Sequence, residues 1–245
     1  MPRCAWCSDD PLYIDYHDNE WGVPTRDPQV LFEFLILEAF QAGLSWITVL
    51  RKRERYRQVL FGFDPQRLAQ MTDAEIDERM LDPGIIRNRR KLEAARRNAQ
   101  LWLELEDPAG WLWSFVDGQP KINHFESIKQ VPAVTAEAEA MSRALKKAGF
   151  SFVGPTICYA YMQACGMVMD HTIDCDRYAL LTDASALWSG CRTSSAAPGA
   201  VTLAALIFGR DPWTSSKVRW WSASCVCSPS CPGARYRGWA MPSAG

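Results

Sequence analysis

Four residues with metal-ligand chemistry bracket the well-patterned part of this chain. Cys4 and His17 lie near its start, and His171 and Cys175 close the segment DHTIDC (170–175). Two Cys and two His make a closed tetrahedral set, which suits a structural zinc; hydrolysis would need an open coordination position. The spacing H-x-x-x-C puts His171 and Cys175 on one face if their segment is helical. On spacing alone the signal is weak, because the two pairs are far apart in sequence. His17 reads equally as a turn histidine, Cys175 as a small buried apolar side chain, and Cys7 as an alternative ligand. A metal here would staple residues 3–24 (RCAWCSDDPLYIDYHDNEWGVP), which show no helix or strand period, onto the last helix.

A carboxylate is the second chemical signal. Glu38 sits inside FEFLILEAFQAG, among apolar neighbours, where a charge is costly unless bonded or functional. Trp46 follows eight positions later, and Trp6, Tyr13, Tyr16 and Trp21 crowd the opening stretch. Aromatics around one acid suit a flat, polar or cationic ligand such as a modified base. Taken singly, each aromatic reads as core and Glu38 as a helix-face charge. The third signal is MLDPGIIRNRRKLEAARRNAQ (80–100), a helix, a Pro-Gly turn, then a helix with Arg87, Arg89, Arg90, Lys91, Arg96 and Arg97. Amides at Gly84 beside a helix N-terminus suit phosphate, and the basic residues would hold a nucleic-acid backbone. The plain alternative is a solvated basic face.

The elements that must carry these residues read as all-α, eight or nine helices, with no convincing strand. Residues 28–42 form a mostly buried helix started by Pro28 and broken at Gly43. A second helix runs over 44–63, with Ser45 as cap. Asp64 caps a short helix over 63–71. Thr72 and Glu75 form a capping box for 72–81. After the hairpin come an aromatic stretch (111–120) ending in a turn, a capped helix over 135–150, and a helix over 154–178 interrupted near Gly166. Cys158 and Cys165 read as helix core.

The 245 residues are 48 % hydrophobic and 22 % charged, ordinary for a soluble globular protein. A net charge of −1 names no partner. No apolar run approaches a membrane span and no signal-peptide core begins the chain, so the expected setting is the cytoplasm. Nine cysteines are then reduced thiols or metal ligands. From Asp183 to the end the texture changes: no Glu, Gln, Asn or His, and six basic against two acidic residues. Residues 1–182 read as one domain. Residues 183–245 read as an atypical tail, either disordered or the product of a shifted reading frame. Cys191, Cys225, Cys227 and Cys231 in it allow a second metal site, with poor spacing.

RCAW, DPLYIDYHDNEWGVP, LFEFLILEAFQAGLSWITVLRKRERYR, DPGIIRNRRKLEAARRNA, WSFV, SRALKKAGFSFVGPTICYAYMQACGMVMDH and HTIDC run in order over residues 1 to about 178. Together they resemble the 3-methyladenine DNA glycosylase I family, within the helix-hairpin-helix DNA glycosylase superfamily. The resemblance implies that fold, one structural zinc on Cys4, His17, His171 and Cys175, and monofunctional release of 3-methyladenine from alkylated double-stranded DNA by a monomer. It makes Glu38 the catalytic carboxylate and Tyr16 a reader of the base. Trp46 becomes a stacking face, with Trp6, Tyr13 and Trp21 lining the site. Gly43, Leu44, Gly84, Arg87 and Arg89 would meet DNA, with Leu44 as an inserted wedge. The superfamily's Asp after the hairpin and its Lys nucleophile have no matching pair here, which argues against a lyase. Two other readings differ in class: a non-catalytic, zinc-stapled DNA-binding module, and an enzyme whose metal is itself catalytic.

Overall fold

A computed structural model describes residues 2–190, with side chains through Asp183; of the tail expected over 183–245, residues 191–245 with all four of its cysteines lie outside the described residues. Eleven α-helices are described. They are α1 (Pro11–Asn19), α2 (Pro28–Gln41), α3 (Trp46–Leu50), α4 (Arg53–Val59), α5 (Pro65–Ala69), α6 (Asp73–Met80), α7 (Arg89–Leu103), α8 (Pro108–Trp113), α9 (Ala136–Lys147), α10 (Pro155–Ala164) and α11 (Asp176–Gly190). The last of these continues without a break across residue 182, the expected end of the domain, to Gly190.

Helix starts are written locally. Asp10, Asp27, Asp64 and Asp107 each precede a proline, and each carboxylate accepts from a backbone amide in the first turn of α1, α2, α5 or α8. Proline suits the first helical position because its missing N–H has no partner there anyway. Thr72 and Glu75 close the expected capping box of α6. A fifth Asp-Pro, Asp82-Pro83, starts the hairpin turn between α6 and α7 instead.

The core forms around α2. Every residue from Leu31 to Phe40 is buried, so this helix is covered on all sides. α3, α7, α8 and α10 pack on it. The chain reaches this arrangement with four departures from the sequence expectations. Residues 11–19 are helical within the stretch that shows no period, held by the Asp10 cap. The helix expected over 44–63 breaks at Arg51–Lys52. α4 then begins at Arg53, whose buried guanidinium reaches Glu33 at 2.6 Å and Glu20 at 2.6 Å. Ser45 bonds the Thr48 hydroxyl at 2.7 Å and caps no amide. A two-residue parallel ladder also exists, Lys121–Ile122 (β1) against Val168–Met169 (β2).

The helix expected over 154–178 does not resume after its break near Gly166: α10 ends at Ala164, β2 and a turn follow, and α11 starts at Asp176; the break coincides with a close approach at Gly166. A Cβ there would lie 2.3 Å from the Pro24 nitrogen, and φ is +67°. The neighbouring bonds Gly22 N–H to Gln163 O and Thr25 N–H to Cys165 O lay residues 21–25 along the end of α10. The N-terminal segment is thereby fastened to the C-terminal one by backbone before any side chain is counted.

Candidate functional site

Cys4, His17, His171 and Cys175 are all buried, and one ligand atom from each lies within 4.8 Å of the others. Cys4 Sγ is 3.5 Å from His171 Nδ1, Cys175 Sγ is 3.4 Å from the same atom, and Cys175 Sγ is 3.6 Å from His17 Nε2. A tetrahedral zinc with ordinary Zn–S and Zn–N bonds sets sulfur and nitrogen about 3.5 Å apart. The tautomers agree. His17 Nδ1 lies 2.7 Å from Asp18 Oδ1, and His171 Nε2 lies 3.1 Å from the Trp21 carbonyl. Each ring therefore keeps its proton on the outer nitrogen and turns a lone pair inward. The backbone amide of Cys4 also donates to His17 Nε2 at 3.3 Å. The neighbouring Cys175 sulfur and burial hold the Cys4 thiol up, whereas Cys4 and the two imidazoles hold Cys175 down.

The helical-face expectation for His171 and Cys175 does not hold. Residues 171–175 form a turn between β2 and α11, closed by Cys175 N–H to Thr172 O at 2.9 Å. A turn brings both side chains round one point more tightly than a helix face would. Cys7 is half-exposed and lies outside the group of four.

Next to this cluster is a pocket of about 330 Å³, and all six residues singled out for a base site line it: Trp6, Tyr13, Tyr16, Trp21, Glu38 and Trp46. Glu38 is 2 % exposed, its Oε2 has no hydrogen-bond partner, and burial raises its pKa to about 8. Burial and the nearby Glu38 raise Tyr16 well above the usual phenol range, so it stays a neutral hydroxyl. The rings of Tyr16 and Trp46 are 5.2 Å apart. Gln41 Oε1, Trp46 Nε1 and Trp6 Nε1 are likewise buried without partners. Unpaired buried polar atoms are costly, and four around one pocket mark a place built for a polar guest.

Sequence reasoning missed the rest of the wall. Gln41 was within reach, since it lies one turn after Glu38 on α2. Thr156, Tyr159, Ala160 and Gln163 form one stripe of α10 and also line the pocket, together with Ile128 and residues 131–133. Their spacing reads as ordinary helix core, so only the fold reveals them.

The turn between α2 and α3 holds Gly43 at φ +81° and Leu44 41 % exposed. The hairpin residues fall into two groups. Arg87 and Arg90 are exposed. Arg89 pairs with Asp77 and Glu93, and Arg96 with Asp73. Lys91 is buried, contrary to its expected place on a basic face, with Nζ 2.7 Å from the carbonyls of both Phe40 and Ala42. The Gly84 amide donates to Asp82 Oδ1 at 2.7 Å, and the Ile86 amide to the Tyr56 hydroxyl at 3.0 Å, so these two amides already carry an internal acceptor.

Known proteins align with this arrangement over most of the described chain. The family described as methyladenine glycosylase matches residues 6–178. DNA-3-methyladenine glycosylase 1 of Escherichia coli (strain K12) is 50 % identical over 182 residues, covering 73 % of this chain and 97 % of that protein. A crystal structure of a 3-methyladenine DNA glycosylase I superposes with a TM-score of 0.71 at 52 % identity, over 71 % of this chain and 98 % of the other. A variant of such an enzyme in complex with 3-methyladenine gives 0.70 at 39 % identity, over 72 % and 97 %.

Proposed function

The chain belongs to the methyladenine glycosylase family, and from that premise we propose that its aromatic pocket receives a 3-methylated adenine swung out of duplex DNA. Its activity is that of a base excision repair glycosylase, a hydrolase of N-glycosyl bonds acting on 3-methyladenine. The observation that carries the pocket assignment is Glu38, a buried carboxyl with an unpaired oxygen facing a ring of aromatic side chains.

Methylation at N3 leaves the base cationic and already a good leaving group. The chain's own residues then have three tasks. The aromatic faces attract a flat cation more than a neutral purine. Glu38 loses its proton to solvent as the cation arrives and accepts from the base's amine or ring N–H. Closing the pocket leaves water to add at the sugar carbon as the base departs with the bonding pair, giving a free base and an abasic site. Among the described residues no lysine lines the pocket, and the Lys91 amine is engaged by two carbonyls, in keeping with a monofunctional enzyme.

Leu44, beside Gly43, is the wedge that fills the gap left in the duplex. Arg87, Arg89 and the Gly84 turn meet the phosphates, Arg89 and the Gly84 amide by exchanging their acidic partners for them. One chain carries the whole site, so it acts as a monomer. The sulfur and nitrogen spacings fit a single zinc on Cys4, His17, His171 and Cys175. The ion's part is to tie α1 and the chain start to the turn before α11. Four protein donors leave no place for water, so hydrolysis does not run through it. No described helix is long and apolar enough to cross a membrane.

The test is release of free bases from methylated duplex DNA, resolved by chromatography. The expected products are 3-methyladenine without 7-methylguanine, with release lost in Glu38→Gln. Full excision by that variant would remove the role assigned to Glu38.

A further inference from the structure

Glu38 is not the only carboxylate behind this pocket. Asp170, at the end of β2, is 1 % exposed. It accepts from Asn123 Nδ2 at 2.6 Å, from Gln163 Nε2 at 2.8 Å and from the Tyr159 hydroxyl. Among the described residues no cation pairs with it, so three neutral donors hold its charge. Tyr159 and Gln163 are both pocket residues on α10.

A carboxylate can only accept. It therefore sets the direction of every bond it makes. The Tyr159 proton points at Asp170, and the phenol oxygen keeps only lone pairs for other partners. The Gln163 amide is turned with its nitrogen on Asp170, and its Oε1 accepts from no described donor. An amide end has two orientations of nearly equal shape, so a neighbour of fixed polarity must decide which atom faces a ligand. Across the pocket, Glu38 Oε2 and Gln41 Oε1 are further acceptors without partners.

We propose that Asp170 is a positioning residue that fixes the polarity of Gln163 and Tyr159, so that the α10 wall offers acceptors and favours a purine carrying an exocyclic amine over one carrying a carbonyl. The proposal rests on the base-pocket reading and adds the device that selects among methylated purines. The amine of 3-methyladenine meets acceptors on this wall. Beside Gln163 Oε1 and the Tyr159 oxygen, the corresponding O6 of 3-methylguanine meets lone pairs, because the pocket's unpaired N–H groups, Trp6 Nε1 and Trp46 Nε1, lie on other elements, and a polar mismatch in a buried site is heavily penalised.

The experiment measures binding of free 3-methyladenine and free 3-methylguanine to the full chain by tryptophan fluorescence, together with excision of each from methylated DNA. In Asp170→Asn the new amide can donate, Gln163 is free to turn over, and the preference for 3-methyladenine is expected to fall roughly five- to tenfold. Adding Gln163→Glu restores acceptors whichever way the side chain turns, and should recover the preference. Gln163→Met in the parent keeps Asp170 and its other donors, and should lose the preference by a similar factor even where Asp170→Asn folds poorly. A preference unchanged in Asp170→Asn or in Gln163→Met, with both affinities falling together, would make Asp170 merely structural. If the parent chain binds neither base, the base-pocket reading itself fails, and this proposal with it. If the parent binds 3-methyladenine and the variants keep its preference, only the Asp170 role is overturned.

Discussion

In the role proposed for it, Glu38 works by being badly solvated. A carboxyl whose pKa rises from 4.5 to about 8 is largely the neutral acid in the empty pocket at pH 7. The unfolded chain ionises it above about 4.5, so stability drains away as pH rises from there to about 8 and is level beyond. The loss amounts to on the order of 4–5 kcal/mol, and Glu38→Gln avoids it. Denaturant titrations of the two proteins should therefore coincide near pH 4.5 and separate progressively to pH 8, the variant being the more stable; parallel curves would mean that Glu38 finds a partner the structure does not show. On the proposed role of Glu38, the same ionisation governs activity. The free enzyme must give up this proton to take a cation, so kcat/KM should rise with pH, pass half-maximum near 8 and level off above it. Glu38 was legible in the sequence because an acid inside an apolar helical run breaks its pattern. Asp170 was not, because it hides beside a more conspicuous histidine and all three of its donors are supplied by the fold.

At the scale of elements, α7 is less a basic surface than a strut. Its Lys91 carries the positive end needed by the last carbonyls of α2, which have no helical partner. The hairpin is thereby fixed to the turn that presents Leu44. Replacing Lys91 with Met keeps the packed stem and removes both bonds. The expected cost is about 2 kcal/mol in urea unfolding, with duplex excision falling further than affinity for the free base. Equal losses in both would show that the turn plays no separate part. Run-length and caps predicted α2, α6 and α9 well, because their signals are local. They failed where a distant partner decides. Lys91 seeks carbonyls on α2, Arg53 seeks Glu20 and Glu33, and the break before α4 follows from that reach.

For the molecule as a whole, the closed Cys-His set ties segments that are remote in sequence, and the aromatic layer shares a wall with it. Trp21 stands 4.6 Å from the His171 ring edge-on, Trp6 stands 5.2 Å from His17, and both tryptophans also line the pocket. Removing the metal should therefore loosen more than a terminus. We expect about one zinc per chain by elemental analysis. Exhaustive chelation should lower the thermal midpoint and shift tryptophan emission, and both should return on adding zinc. A chelated chain with unchanged emission would uncouple the two sites. The four ligands could be picked out as candidates by residue type, yet their geometry could not: a helix face was expected, and a turn closes the set.

The wall of α10, Asp170 and the last two ligands come late in the chain, whereas α2, Leu44 and the hairpin come early. During synthesis the groups proposed to touch DNA therefore leave the ribosome well before those proposed to hold and select a base. A chain stopped short of His171 carries the proposed wedge and a basic hairpin with no finished pocket behind them. It could dwell on DNA without cutting a base free, and only the completed chain closes the site in which excision can occur.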